Sequence, residues 1–145
     1  MKIVLQRVLE AEVNVDGEMV GSIGCGYVLF LGVGQGDTEA SALQLANKVQ
    51  SLRIFPDAAG KTNLSSADIN GEVLVISQFT LYADCKKGNR PGFTEAAEPA
   101  LAKALYEYFV ILCKTRFSNT AQGVFGADMK VSLINDGPFT LTLEA

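Results

Sequence analysis

Residues 27–33 read Tyr27-Val28-Leu29-Phe30-Leu31-Gly32-Val33, a continuous apolar run. Side chains alternate between the two faces of a strand, so a run without polar interruption fits a strand covered on both faces. Such a strand belongs at the centre of a sheet. The residues that follow, Gly34-Gln35-Gly36-Asp37, carry turn chemistry. Thr38 then opens a helix in which Ala42, Leu45, Ala46, Val49 and Leu52 form one apolar stripe, ending near Leu52. A second apolar run, EVLVISQF at residues 72–79, gives a second central strand.

Working outward, residues 2–8 alternate as a half-buried strand does, and residues 11–23 read as a hairpin closed by Asp16-Gly17. RIFPDAAGK, residues 53–61, reads as a strand end followed by a turn. A longer helix begins near Pro99, well placed at a first helical position, and carries Leu101, Leu105, Tyr108, Phe109 and Leu112 to about Cys113. The last third returns to two strands, DMKVSLI and FTLTLE. Strands, helix, strand, helix, strands is the order of an α/β protein. The expected fold is one domain over residues 1–145, a mixed, curled, barrel-like sheet in a layered β-β-α arrangement with two covering helices.

Between the last two strands stands NDGPF, residues 135–139. Asn135-Asp136-Gly137 would make an ordinary hairpin turn, because Asp-Gly supplies positive φ angles readily. Pro138 complicates this, since it removes a backbone N–H and fixes φ where a strand should start. The segment is either a plain loop or a backbone shape selected for use.

Composition narrows the chemistry. A chain of 145 residues with 48% apolar content has enough material for one core, which excludes disordered and fibrous classes. There is no histidine, so Ser-His-Asp and Cys-His mechanisms, His-containing metal sites and the commonest general base are all absent. No Cys-x-x-Cys pair offers a thiolate zinc site, and no metal or cofactor is expected. The three cysteines, Cys25, Cys85 and Cys113, are odd in number and far apart, as free thiols in a reducing compartment are. MKIVLQRV enters an alternating stretch at once, without the apolar segment of a secretory signal, and no 18-residue apolar run suggests a membrane span. The expected location is the cytoplasm.

A net charge of −4 argues against broad, sequence-blind binding to nucleic acid, but not against a local basic patch. CKKGNRPGF gathers Lys86, Lys87 and Arg90 around a glycine, either as a solvated loop or as contacts for phosphates. GVGQGD lies between a strand and a helix, where phosphate-binding glycine loops occur, yet its third glycine is misplaced for the dinucleotide fingerprint and the P-loop Lys-Ser/Thr is missing. SQFTLYAD puts Ser77, Gln78 and Thr80 where the second central strand meets a loop; such groups commonly satisfy nearby backbone. GVFGADM sets Phe125 and Met129 beside glycines, as core packing or as an apolar wall for a nucleobase.

Together and in this order, SQFTLYAD, KKGNRPGF, FGADM and NDGP resemble the D-aminoacyl-tRNA deacylase family. LQRV, VDGE, FLGV, RIFPDAAGK and LYEYF extend the similarity over nearly the whole chain. The resemblance implies a cytoplasmic homodimer that hydrolyses the ester between a D-amino acid, or mischarged glycine, and the 3′-terminal adenosine of tRNA. It implies a cis Gly137-Pro138 bond, inserted into the partner subunit's active site so that backbone carbonyls crowd the place of an L side chain. It also places the ester beside Ser77, Gln78, Phe79 and Thr80, with the Phe79 and Thr80 N–H groups as oxyanion donors and the ribose 2′-hydroxyl assisting water. Thr80 has a positioning role, because no base is assigned to activate it as a nucleophile. Phe125 and Met129 would line the adenosine pocket, and Arg7 would hold the partner's Gly-Pro loop. The chain departs from the family pattern at Thr62, Gly92, Gln122 and Phe139. Two readings from other classes stand beside this one: a non-catalytic binding module for the tRNA acceptor end or a free amino acid, and a nucleotide-dependent enzyme built on GVGQGD.

Overall fold

The computed structural model describes residues 1–145. Its spine is β1 (Lys2–Val15), which is joined by a tight turn at Asp16-Gly17 to β2 (Glu18–Ile23) and then to β3 (Gly26–Gly32). Residues 2–8 of β1 pair with β3, residues 11–15 pair with β2, and the other edge carries β8 (Met129–Glu144) along its whole length. β3 continues in parallel to β6 (Glu72–Ser77), and β6 in parallel to β7 (Thr120–Gln122). β7 comes back against β2, where a Cβ at Gly21 would stand 3.0 Å from the Gln122 carbonyl oxygen. The sheet therefore curls almost into a barrel, as expected.

The apolar run at 27–33 lies where its composition puts it, between β1 and β6. Tyr27, Leu29 and Leu31 face a large core shared with the helices; Val28 faces a smaller one inside the curl with Val8, Ala11, Val13, Ile23, Leu74 and Ile76. Helix α1 (Glu39–Ser51) is capped by Thr38 and buries Ala42, Leu45, Ala46 and Val49, the stripe read from sequence. Helix α2 (Pro99–Lys114) begins at Pro99 but buries a face rotated from the expected one: Ala102, Leu105, Tyr106, Phe109, Val110 and Cys113. Leu101 is 42% exposed. Leu105 and Phe109 are buried as expected and Tyr108 and Leu112 pack at the edge of the core, but the centre of the buried face is shifted toward Ala102, Tyr106, Val110 and Cys113.

Three further differences have physical causes. Residues 2–8 and the first arm of the hairpin are one strand, because buried alternation slips between Leu5 and Val8 and the ladder with β8 absorbs the slip as irregularities on either side of Val8. RIFPDAAGK is the first half of a separate hairpin, β4 (Arg53–Pro56) and β5 (Thr62–Ser65). The Asp57 carboxylate accepts from the Ala59 and Lys61 N–H groups, both at 2.9 Å, and these bonds hold its acid below the usual carboxylate range. The two final strands are likewise one, since both halves of β8 pair with β1: Asn135 lies opposite Val8, Thr140 opposite Gln6, and Asp136–Phe139 stand opposite Arg7 alone. NDGPF is neither a hairpin turn nor a free loop. It is a bulge in a strand that continues in the same direction.

Candidate active site

β6 ends at Ser77, where the Gln78 N–H still donates to the Leu31 carbonyl at 2.8 Å, and the chain then leaves the sheet in a short 3₁₀ turn, Phe79–Tyr82. As the first residues of that turn, Phe79 and Thr80 have N–H groups without a partner inside it. Ser77, Gln78 and Phe79 form one wall of a cavity of about 490 Å³. Phe125 and Met129 face them, and Ala97 and Pro99 close the side formed by the start of α2.

The opposite wall is shaped from beneath. The Tyr106 hydroxyl, buried in α2, donates to the Val75 carbonyl at 2.9 Å, and its ring lies 5.8 Å from that of Phe125. Burial raises the Tyr106 phenol above its ordinary range, so it is a fixed donor. Gly123 leaves room for Met129, whose sulfur would be 2.4 Å from a Cβ there. The sequence reading thus brought Ser77, Gln78, Phe79, Phe125 and Met129 to one place. It missed Asp128, which lies at the cavity and pairs with Lys130 at 2.9 Å. FGADM contained it, but a carboxylate beside a lysine looks like any solvated pair. Thr80 sits on the turn without lining the cavity, and its hydroxyl accepts from the Gln78 amide. No carboxylate or amine bonds to that hydroxyl.

A second group of residues lies elsewhere. Arg7, only 9% exposed, donates from Nε to the Asp136 carbonyl at 3.0 Å, pairs with the Asp136 carboxylate at 3.1 Å, and donates from Nη1 to the Ile54 carbonyl. Its guanidinium lies over the Phe139 ring, 4.9 Å from the centroid. The Phe139 N–H donates to the Asn135 side chain at 2.7 Å. These contacts fix the bulge with Gly137 at φ 138°, the Gly137–Pro138 peptide cis and both residues exposed. Arg7, expected to hold the Gly-Pro loop of a partner subunit, bonds to the loop of its own chain. Register puts Arg7 level with Tyr27 and Val73, four residues before Ser77 and two strands across. Gly137 and Pro138 are not among the residues lining the cavity of their own chain.

Lys86, Lys87 and Arg90 occupy an exposed loop closed by paired backbone bonds between Asp84 and Gly92, and none of them forms an ion pair. GVGQGD offers no phosphate cradle: the Gly34 N–H that a phosphate would need already donates to the Asp37 carboxylate at 2.7 Å. No three His, Cys, Asp or Glu side chains converge as metal ligands.

A family profile described as D-Tyr-tRNA(Tyr) deacylase matches residues 4–144. The chain belongs to that family. Among curated relatives, the D-aminoacyl-tRNA deacylase of Myxococcus xanthus (strain DK1622) is 53% identical over 145 residues, covering 100% of this chain and 95% of that protein. The protein of the same name from Thermosipho africanus (strain TCF52B) is 52% identical, covering 100% and 97%. Among solved structures, the c-Myc DNA Unwinding Element Binding Protein superposes with a TM-score of 0.93 at 40% identity, over 100% of this chain and 99% of that one. A probable eukaryotic D-amino acid tRNA deacylase shares the fold with a TM-score of 0.85 at 14% identity, covering 99% and 98%. The deacylase family is a family of enzymes, and no helix of this member is long and apolar enough to cross a membrane.

Proposed function

We propose that this chain is a cytoplasmic esterase that hydrolyses D-aminoacyl-tRNA, and glycine mischarged on tRNA, and spares the L isomers. The observation that carries the reading is the cavity at the end of β6, lined by Ser77, Gln78 and Phe79 at the start of the turn and by Phe125 and Met129 as apolar groups. In this scheme the terminal adenine packs against Phe125 and Met129, and the aminoacyl ester lies along Ser77, Gln78 and Phe79. Water attacks the ester carbonyl carbon, assisted by the ribose 2′-hydroxyl. The negative charge of the tetrahedral intermediate is received by the Phe79 and Thr80 N–H groups, each such donor contributing about a hundred- to thousandfold in rate. Collapse breaks the bond to the ribose 3′-oxygen, which leaves with a proton. Thr80 positions Gln78 through its hydroxyl, and Lys86, Lys87 and Arg90 meet phosphates of the acceptor end.

The chiral filter requires a second copy. Gly137 and Pro138 project from the sheet, exposed and rigidly held by Arg7, yet lie away from their own cavity. In a homodimer each loop would close the other subunit's site, its carbonyls occupying the space of an L side chain; glycine, lacking one, would pass. Incubation of the protein with D-Tyr-tRNA and L-Tyr-tRNA tests this. Release of D-tyrosine alone is the expected result, equal release of both would remove the filter, and binding of charged tRNA without release would make the chain a binding module.

A further inference from the structure

GVGQGD is left without a role once phosphate binding is set aside, yet Gly34 and Asp37 both contact Tyr82 of the active-site turn. The Asp37 carboxylate accepts from the Gly34 N–H at 2.7 Å and from the Tyr82 hydroxyl at 3.3 Å, and it pairs with the buried α-ammonium of Met1. Tyr82 is the last residue of the turn that carries Phe79 and Thr80. Its ring lies flat on Gly34, where an added Cβ would stand 2.5 Å from Cε1 and Cζ and 2.6 Å from the hydroxyl oxygen. Gly32 repeats the arrangement one step earlier, since a Cβ there would be 3.0 Å from the Gln78 carbonyl oxygen and 3.1 Å from the Leu81 Cβ. The same segment also reaches the far side of the cavity: the Ala97 N–H donates to the Val33 carbonyl at 3.0 Å, and Gly34 pairs with Ala96. Neither Gly34 nor Asp37 lines the cavity.

We propose that Gly34, Asp37 and Tyr82 form the seat of the active-site turn, positioning residues that set the direction of the Phe79 and Thr80 N–H groups without touching substrate. This rests on the reading of those N–H groups as oxyanion donors. A 3₁₀ turn at a strand end has few bonds of its own, here Leu81 N–H to the Gln78 carbonyl and Ala83 N–H to the Thr80 carbonyl. Its orientation is therefore set by what it packs on. Gly32 lets the turn approach β3 to backbone contact, Gly34 makes room for the Tyr82 ring, and the Asp37 carboxylate accepts from the Tyr82 hydroxyl. Rotation of the turn would misdirect both donors and shift Phe79 at one edge of the cavity, while Phe125 and Met129 stay in place, so the loss falls more heavily on kcat than on KM.

The test combines kinetics with an observation of the turn that needs no substrate. Gly34→Ala places a methyl group inside the Tyr82 ring and should lower kcat by about ten- to a hundredfold, the effect of a small misplacement of a donor, with KM changed by less than about threefold. Gly34→Ala/Tyr82→Ala should be no slower than Tyr82→Ala alone, since the ring that the methyl strikes is gone. In ¹⁵N–¹H spectra the Phe79 and Thr80 amide resonances should move in Gly34→Ala and in Asp37→Asn, with those of the remote β4–β5 hairpin unmoved. A Gly34→Ala protein with wild-type kcat, additive losses in the double variant, or unmoved Phe79 and Thr80 amides would each overturn the proposal. If Gly34→Ala does not fold, Tyr82→Ala, which removes bulk, carries the same kinetic and spectral criteria. If wild-type protein releases no D-amino acid, the functional reading fails, and the amide shifts still decide whether the seat exists.

Discussion

Gly34, two residues beyond β3, and Gly137 in the bulge of β8 lack the same atom for different reasons. At Gly34 the backbone is ordinary and the space is taken: the Tyr82 ring occupies the place of a side chain. At Gly137 the backbone itself is special, with a φ of 138° that L residues rarely adopt; the residue faces solvent, and an added Cβ would also stand 3.0 Å from the Phe139 nitrogen and 3.2 Å from Arg7 Nη2. One glycine serves an approach inside the chain, the other a conformation presented outward. The contrast separates two kinds of failure, since a side chain at the first disturbs the turn beside the cavity, and a side chain at the second disturbs a surface whose proposed target is another molecule.

The largest effect that can break this comparison comes from Gly137→Ala. Backbone strain there costs about 1–3 kcal/mol, a fall in Tm of less than about 10 °C for a chain of this size. Activity should fall by about a hundredfold through misplacement of the carbonyls, and the loss of D-over-L selectivity should exceed the loss of stability. A protein with unchanged kcat/KM and selectivity would show that Gly137 is only a bulge residue.

A smaller effect is expected of Thr80→Ala. Its hydroxyl accepts only from Gln78, so its removal should slow release by no more than about tenfold, the worth of one hydrogen bond. A drop of many orders of magnitude, or an acyl group trapped on Thr80, would make it a nucleophile. The smallest effect concerns the buried region alone. Burial pushes the Cys113 thiol up to about 12 and raises the Tyr106 and Tyr82 phenols, Tyr82 further through Asp37. The unfolded chain ionises such groups near pH 8.5 and 10. The stability they contribute is therefore complete below about pH 8 and is lost as pH rises through the folded values. Thermal melts should show Tm falling from about pH 9 upward, and Tyr82→Phe should make the fall slightly shallower; an unchanged slope would show that Tyr82 does not contribute.

What could be read from the sequence followed from how much of the structure is local. The apolar run at 27–33 and the stripe of α1 depend on burial patterns that neighbours in sequence declare. The face of α2 is legible only in part: Leu105 and Phe109 are buried as expected, but an almost continuous apolar helix offers several overlapping stripes, and the sheet takes the one with Ala102, Tyr106, Val110 and Cys113. Pro138 looked like a strand boundary, and nothing in the letters shows that residues on both sides of it pair with β1. Of the site, Ser77, Gln78, Phe79, Phe125 and Met129 do meet across the cavity. Arg7 and Gly137 also meet, but within one chain and away from that cavity, because register across three strands is invisible in any single segment. GVGQGD shows the limit most plainly: its glycines look like a ligand loop, and their reason is Tyr82, 48 residues beyond Gly34 in sequence.

The bulge in β8 is stitched to the spine on both sides, at Asn135 and at Thr140, with only Asp136–Phe139 between the stitches. So short a span has almost no slack, and Arg7 removes what remains. A molecule that docks against it meets a finished template and does not have to wait for a floppy segment to settle. Most of the ordering entropy of that encounter has already been spent when the monomer folds.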